Sequence, residues 1–241
     1  MLILIALMAF VSVFAGGLLA FRFKDKLHLV LGFSAGAVIG VAFFDLLPEA
    51  IELNENLFTI SVTTSLVALG FVIYLILDRF LFLHSHEEEH CANPHHQEKK
   101  SLSVLILAIH SFIDGLAVGL AFQVSTEVGF ILAVAVLSHN FSDGLNIVGL
   151  TLKNGGDKKK ARRWLLIAST APALGILSTL LFILPEIWLG PILALFCGFF
   201  LYIGASELLP ESHHGHSTRL TTLMTVLGLA VLYLVIKLAG V

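Results

Sequence analysis

The apolar residues of this chain come in eight runs of about 20, the length at which an α-helix crosses the hydrocarbon core of a bilayer. The runs cover roughly residues 2–21, 29–47, 59–77, 102–122, 128–152, 164–184, 189–209 and 220–238. A backbone in lipid must satisfy its own hydrogen bonds, and uninterrupted runs of this length do so as helices. Charged residues make up 13% of the chain, against about a quarter in a soluble domain. The sequence therefore predicts an all-α polytopic membrane protein, with residues 1–241 forming one transmembrane domain. The first run lacks a basic n-region, is long enough to span, and is followed by Arg22, Lys24 and Lys26. It is expected to be a retained helix rather than a signal peptide. Cys91 and Cys197 lie far apart in different settings, so no disulfide framework is expected.

Eight spans put both termini on one side of the membrane. The connections after odd-numbered spans then share the other side, and they hold every Lys and Arg except Lys237. The positive-inside rule assigns those connections to the cytoplasm and both termini to the outside.

Two copies of one motif sit in the middle of the fourth and fifth runs. The first is His110-Ser111-Phe112-Ile113-Asp114-Gly115-Leu116, and the second is His139-Asn140-Phe141-Ser142-Asp143-Gly144-Leu145. In each, His and Asp are four residues apart, which puts them on one helix face. Ionisable groups at the centre of a membrane helix are costly and mark function. Imidazole nitrogen together with carboxylate oxygen suits Zn²⁺, Fe²⁺, Mn²⁺, Co²⁺ or Cd²⁺ rather than Ca²⁺. A single pair is compatible with merely joining two helices; two pairs at one depth, on antiparallel spans, favour a metal site. Asn140 and Ser111 lie beside the histidines as neutral ligands, and Gly115 and Gly144 are expected to serve close helix packing.

A second repeat frames the first. Asp45-Leu46-Leu47-Pro48-Glu49 near the end of the second run is echoed by Glu207-Leu208-Leu209-Pro210-Glu211 near the end of the seventh, and Gly36 matches Gly198 at the same offset. Those two spans run in opposite directions, which gives a 3+2+3 inverted-repeat arrangement, a signature of secondary transporters. Asp45, Glu49, Glu207 and Glu211 are candidate pathway residues, against the alternative that the prolines mark helix ends. The third connection, residues 83–101, is a His-rich cytoplasmic loop. Its His84, His86, His90, His95 and His96 are candidates for weak metal binding, against a plain solvated linker. Lys158, Lys159, Lys160, Arg162 and Arg163 are expected to set topology and to touch anionic lipid. Nothing points to nucleic acid.

On these motifs the chain resembles the ZIP (Zrt/Irt-like) metal-ion transporters over its whole length. His110–Gly115 is similar to the family's H-N-x-P-E-G, with His139–Gly144 as its counterpart, and the Leu-Leu-Pro-Glu endings and the His-rich third connection agree. The resemblance implies eight helices, outside termini, a homodimer in at least some members, and uptake of Zn²⁺ or a similar ion into the cytoplasm. It puts His110 and Asp114 at ligand positions, Asp143 at the bridging-carboxylate position, and Ser111 and Asn140 at flanking ligand positions. Three departures stand out. The family glutamates are aspartates, one methylene shorter. The family prolines are replaced by Ile113 and Ser142, so both helices should be straighter. Ala171 precedes Pro172 where many members have glutamate, which predicts one good metal site and a weak or absent second.

The expected function is movement of a divalent transition metal, zinc first, toward the cytoplasm through a midplane site of His110, Asp114, Asp143, His139, Asn140 and Ser111. The ion would be cargo, with no resident cofactor and no catalytic residue. The rivals are a membrane metal sensor and an intramembrane metal-dependent hydrolase. Short loops suit a prokaryotic plasma membrane.

Overall fold

A computed structural model of the chain describes residues 1–20, 27–86, 96–153, 156–213 and 219–239. Among them are eight helices long and apolar enough to cross a membrane. They are α1 (Leu2–Ala20), α2 (His28–Asn54), α3 (Ile60–Arg79), α4 (Leu107–Val124), α5 (Thr126–Gly149), α6 (Lys158–Leu181), α7 (Glu186–His213) and α8 (Arg219–Leu238). The described residues contain no strand. The helical backbone of α3 continues to His86 and that of α4 begins back at His96. Without the family's prolines at positions 113 and 142, α4 and α5 run unbroken through the His/Asp motifs.

The two Leu-Pro-Glu segments do not end their helices. Both α2 and α7 pass through the proline, to Asn54 and His213, by way of a π-helical segment at Ala42–Leu46 and at Ile203–Leu208. The physical reason lies in proline itself, which has no N–H to donate and whose ring clashes with the carbonyl four residues earlier. One wider turn just before it re-spaces the ladder, so that Leu47 N–H reaches Ala42 and Leu209 N–H reaches Gly204, each five residues back. Cys197 on α7 donates its thiol to the Ala42 carbonyl at 3.3 Å, fastening α7 to the bulge in α2.

The eight helices sort into two groups of four, each packed chiefly on itself: α1, α4, α5 and α6 in one, α2, α3, α7 and α8 in the other. Glycines decide the tightest crossings. A Cβ on Gly144 would overlap the Val13 carbonyl of α1, and one on Gly16 the Phe141 carbonyl of α5. Gly115 on α4 and Gly175 on α6 make the same reciprocal contact with Pro172 and Phe112. In the other group, Gly36 and Gly228 join α2 to α8, and Gly70 and Gly198 join α3 to α7. Such small-residue contacts let backbones touch where lipid offers no hydrophobic drive. Gly115 and Gly144 thus serve packing, as their place in the motif suggests.

Candidate metal centre

Helices α4 and α5 are joined through Ser125, whose hydroxyl accepts the Val128 N–H at 3.1 Å and starts α5 at once. So short a turn forces the two helices into antiparallel contact. The faces that meet carry the two motifs. His110 and Asp114 of α4 and His139 and Asp143 of α5 each present one ligand atom, and these four atoms lie within 4.8 Å of one another. All four side chains are buried, His139 completely. Asp114 Oδ2 is the hub, 3.1 Å from Nε2 of His110 on its own helix and 3.1 Å from Nε2 of His139 across the interface.

The far sides of the imidazoles are also assigned. His139 Nδ1 stands 3.2 Å from the Ala135 carbonyl one turn back, an acceptor that only an Nδ1–H can use. That leaves Nε2 to turn its lone pair toward an ion. His110 Nδ1 meets the Tyr74 hydroxyl of α3 at 2.5 Å. Around this core the polar atoms are incompletely partnered. Asn140 is fully buried with neither side-chain polar atom hydrogen-bonded, and Asp143 Oδ2 is likewise without a partner. Ser111 is buried and donates to the Leu107 carbonyl of its own helix. Unpartnered buried polar atoms are costly, and a cation among the four clustered side chains would satisfy a carboxylate oxygen such as Asp143 Oδ2. Two imidazoles and two carboxylates fit a divalent transition ion in tetrahedral or somewhat larger coordination. Among the described residues this is the group of His, Cys, Asp and Glu side chains whose ligand atoms converge closely enough to hold a metal ion.

The candidate pathway residues divide. Glu207, inside the α7 bulge, lies within electrostatic reach of His110, Asp143, Asp114 and also Asp78. Asp45, inside the α2 bulge, is fully buried beside Glu49, and neither carboxylate oxygen has a hydrogen-bond partner. Glu49 is half-buried and Glu211 exposed. In the His-rich loop, His90 and His95 lie outside the described residues, as do the side chains of His84, His86 and His96. Arg22, Lys24, Lys26 and the side chain of Ser142 lie outside them too.

Three residues near the centre escape the motif reading. Tyr74 bonds His110, and its ring packs on Tyr202 and Phe199 at centroid distances of 5.2 and 5.6 Å. Tyr202 in turn donates to Asp78 Oδ2 at 2.6 Å. Asp78 falls just past the third apolar run as drawn from sequence, where it reads as a helix end. The two tyrosines carried a signal, since a polar tip in an apolar span needs a buried partner, but not the identity of that partner.

The sequence matches the family model described as ZIP zinc transporter over residues 1–105 and 100–236. It is 32% identical over 161 residues to Zinc transporter ZIP9 of Micropogonias undulatus, covering 63% of this chain and 52% of that protein. To Zinc transporter ZupT of Corynebacterium aurimucosum it is 25% identical over 248 residues, covering 95% of this chain and 93% of that one. To Zinc transporter YKE4 of Saccharomyces cerevisiae it is 24% identical over 151 residues, covering 56% of this chain and 43% of the relative. The matches thus span about half the length of the ZIP9 proteins and nearly all of ZupT.

Proposed function

The chain belongs to the ZIP zinc transporter family, and we propose that it carries a divalent transition metal ion, Zn²⁺ first, across the membrane toward the cytoplasm. The observation that carries this reading is the set of four potential ligand atoms, from two antiparallel helices, lying within 4.8 Å of one another inside the helix bundle. His110, Asp114, His139 and Asp143 would hold the ion, with Asn140 and Ser111 near enough in sequence to complete its shell. The chain's relatives are named zinc transporters, and the donor set equally admits iron, manganese, cobalt or cadmium.

The route runs inward from Asp45 and Glu49 to the cluster and on past Glu207 toward Asp78. Glu207 lies within reach of the cluster's charges on one side and of Asp78 on the other, so an ion leaving the histidines meets fresh oxygen ligands. Release through a site that binds without trapping is what conduction requires. The moving parts are the two groups of four, with α1 and α6 travelling with the central pair rather than against it. The inverted repeat is supported by the pairing: α1–α5 and α4–α6 exchange when the two halves are swapped, and so do α2–α8 and α3–α7. The matched bulges in α2 and α7 agree. Sidedness rests on the Lys and Arg distribution, which keeps both termini outside. The ion is cargo here, no resident cofactor is invoked, and one chain supplies the whole cluster, whether or not it pairs as a homodimer.

The deciding experiment is Zn²⁺ uptake into sealed proteoliposomes by the intact chain and by His110→Ala and Asp114→Ala. Saturable uptake, lost in both folded variants, is expected. Binding without uptake would make the protein a sensor, and uptake surviving both changes would make the cluster structural.

A further inference from the structure

The two histidines of the cluster are held in different ways. His139 is braced by the Ala135 carbonyl of its own helix, so its brace travels with it. His110 is braced by Tyr74, which stands on α3 in the other group of four. We propose that Tyr74 is a positioning residue of the metal centre, fixing His110 in its ligating form only while the two helix groups keep the present arrangement.

The chemistry follows from the ring. For His110 Nε2 to give its lone pair to an ion, the proton must sit on Nδ1, where it needs an acceptor. The Tyr74 oxygen is that acceptor. The phenol cannot easily turn away, since Tyr74 is buried and its ring is wedged against Tyr202 and Phe199. A second hydroxyl bond crosses between the groups beside the other histidine, from Ser34 of α2 to the Ser138 carbonyl of α5 at 2.9 Å. Displacing one group against the other stretches both bonds. His110 then loses its brace, its ring is free to turn, and the grip on the ion weakens at the moment the route to Glu207 changes shape. The same displacement moves the Tyr74 ring, which lies between His110 and the Tyr202–Asp78 pair.

This inference rests on the cluster being the transport site, and the test separates the two. Zn²⁺ affinity of the full chain in detergent, by competition with a chromophoric chelator, and Zn²⁺ uptake in proteoliposomes are compared for wild type, Tyr74→Phe, His110→Ala and the double variant. Tyr74→Phe keeps the ring and removes the oxygen. Expected is an affinity loss of about 10–100-fold, the usual cost of removing an outer-shell partner, falling on KM rather than on the maximal rate and vanishing in the His110→Ala background. An unchanged affinity in Tyr74→Phe, or the same loss with and without His110, overturns the proposal while leaving the transport reading intact. His110→Ala binding Zn²⁺ as wild type does would overturn both. A check free of variants is ¹⁵N NMR of the Zn²⁺-loaded wild type: a proton on His110 Nδ1 is expected, and a proton on Nε2 refutes the assignment.

Discussion

Asp114 Oδ2 lies 3.1 Å from His139 Nε2, a residue 25 positions further along the chain and across the interface of two helices. The same oxygen lies 3.1 Å from His110 Nε2. One carboxylate oxygen therefore stands at the point that both Nε2 atoms face. Asp114→Asn keeps the shape and removes the charge. It is expected to weaken Zn²⁺ binding by more than about 100-fold, above the range typical of outer-shell changes. Chelator competition on the purified variant measures it, and an affinity near wild type would remove Asp114 from the ligand set.

Protons compete with the ion for both Nε2 atoms. A protonated imidazole nitrogen has no lone pair to give, so metal binding displaces whatever proton that nitrogen holds. The sign is therefore fixed: the Zn²⁺ dissociation constant should rise as pH drops from 7.5 to 5.5, with protons released on binding. Calorimetry in buffers of different ionisation enthalpy counts those protons. A dissociation constant flat over this interval would argue that neither histidine binds the metal.

Asp45 carries two buried carboxylate oxygens with no hydrogen-bond partner. Leaving such a group unsatisfied costs about 1–3 kcal/mol, and Leu has nearly its shape. Asp45→Leu should raise the thermal midpoint while raising KM for uptake. A variant that gains stability and transports as well as wild type would take Asp45 off the route.

The helix crossings give a structural prediction. Gly144→Ala forces a Cβ into the Val13 carbonyl and should destabilise the protein by about 1–3 kcal/mol, the usual penalty of overpacking. At Gly149 a Cβ meets nothing within 4 Å. Gly149→Ala should be neutral or stabilising by up to about 1 kcal/mol through helix propensity. Thermal unfolding of the two variants side by side tests the contrast, and equal stabilities would contradict the close α1–α5 crossing.

Much of this molecule was legible one helix at a time. Eight spans follow from run length because lipid forces the backbone into helices. The four clustered side chains follow from i, i+4 spacing because that spacing shares a face. Pro48 and Pro210 are less legible, since proline alone is compatible with a helix end, while a π-turn before it lets the helix go on. Asp78 was passed over because its role depends on Tyr202, 124 residues away.

The sequence by itself therefore determined the membrane class, the helix count, the charge partition and the identity of the four clustered side chains. Only the tertiary structure decided that α1 and α6 join the central pair, that Asp45 is buried without a partner, and that the brace on His110 comes from Tyr74. The physical reason is one of range. Helical periodicity and lipid act within a single segment and leave their mark in residue spacing. Which side chain on a distant helix meets which is set by crossings summed over many glycine and side-chain contacts, and no local pattern records that sum.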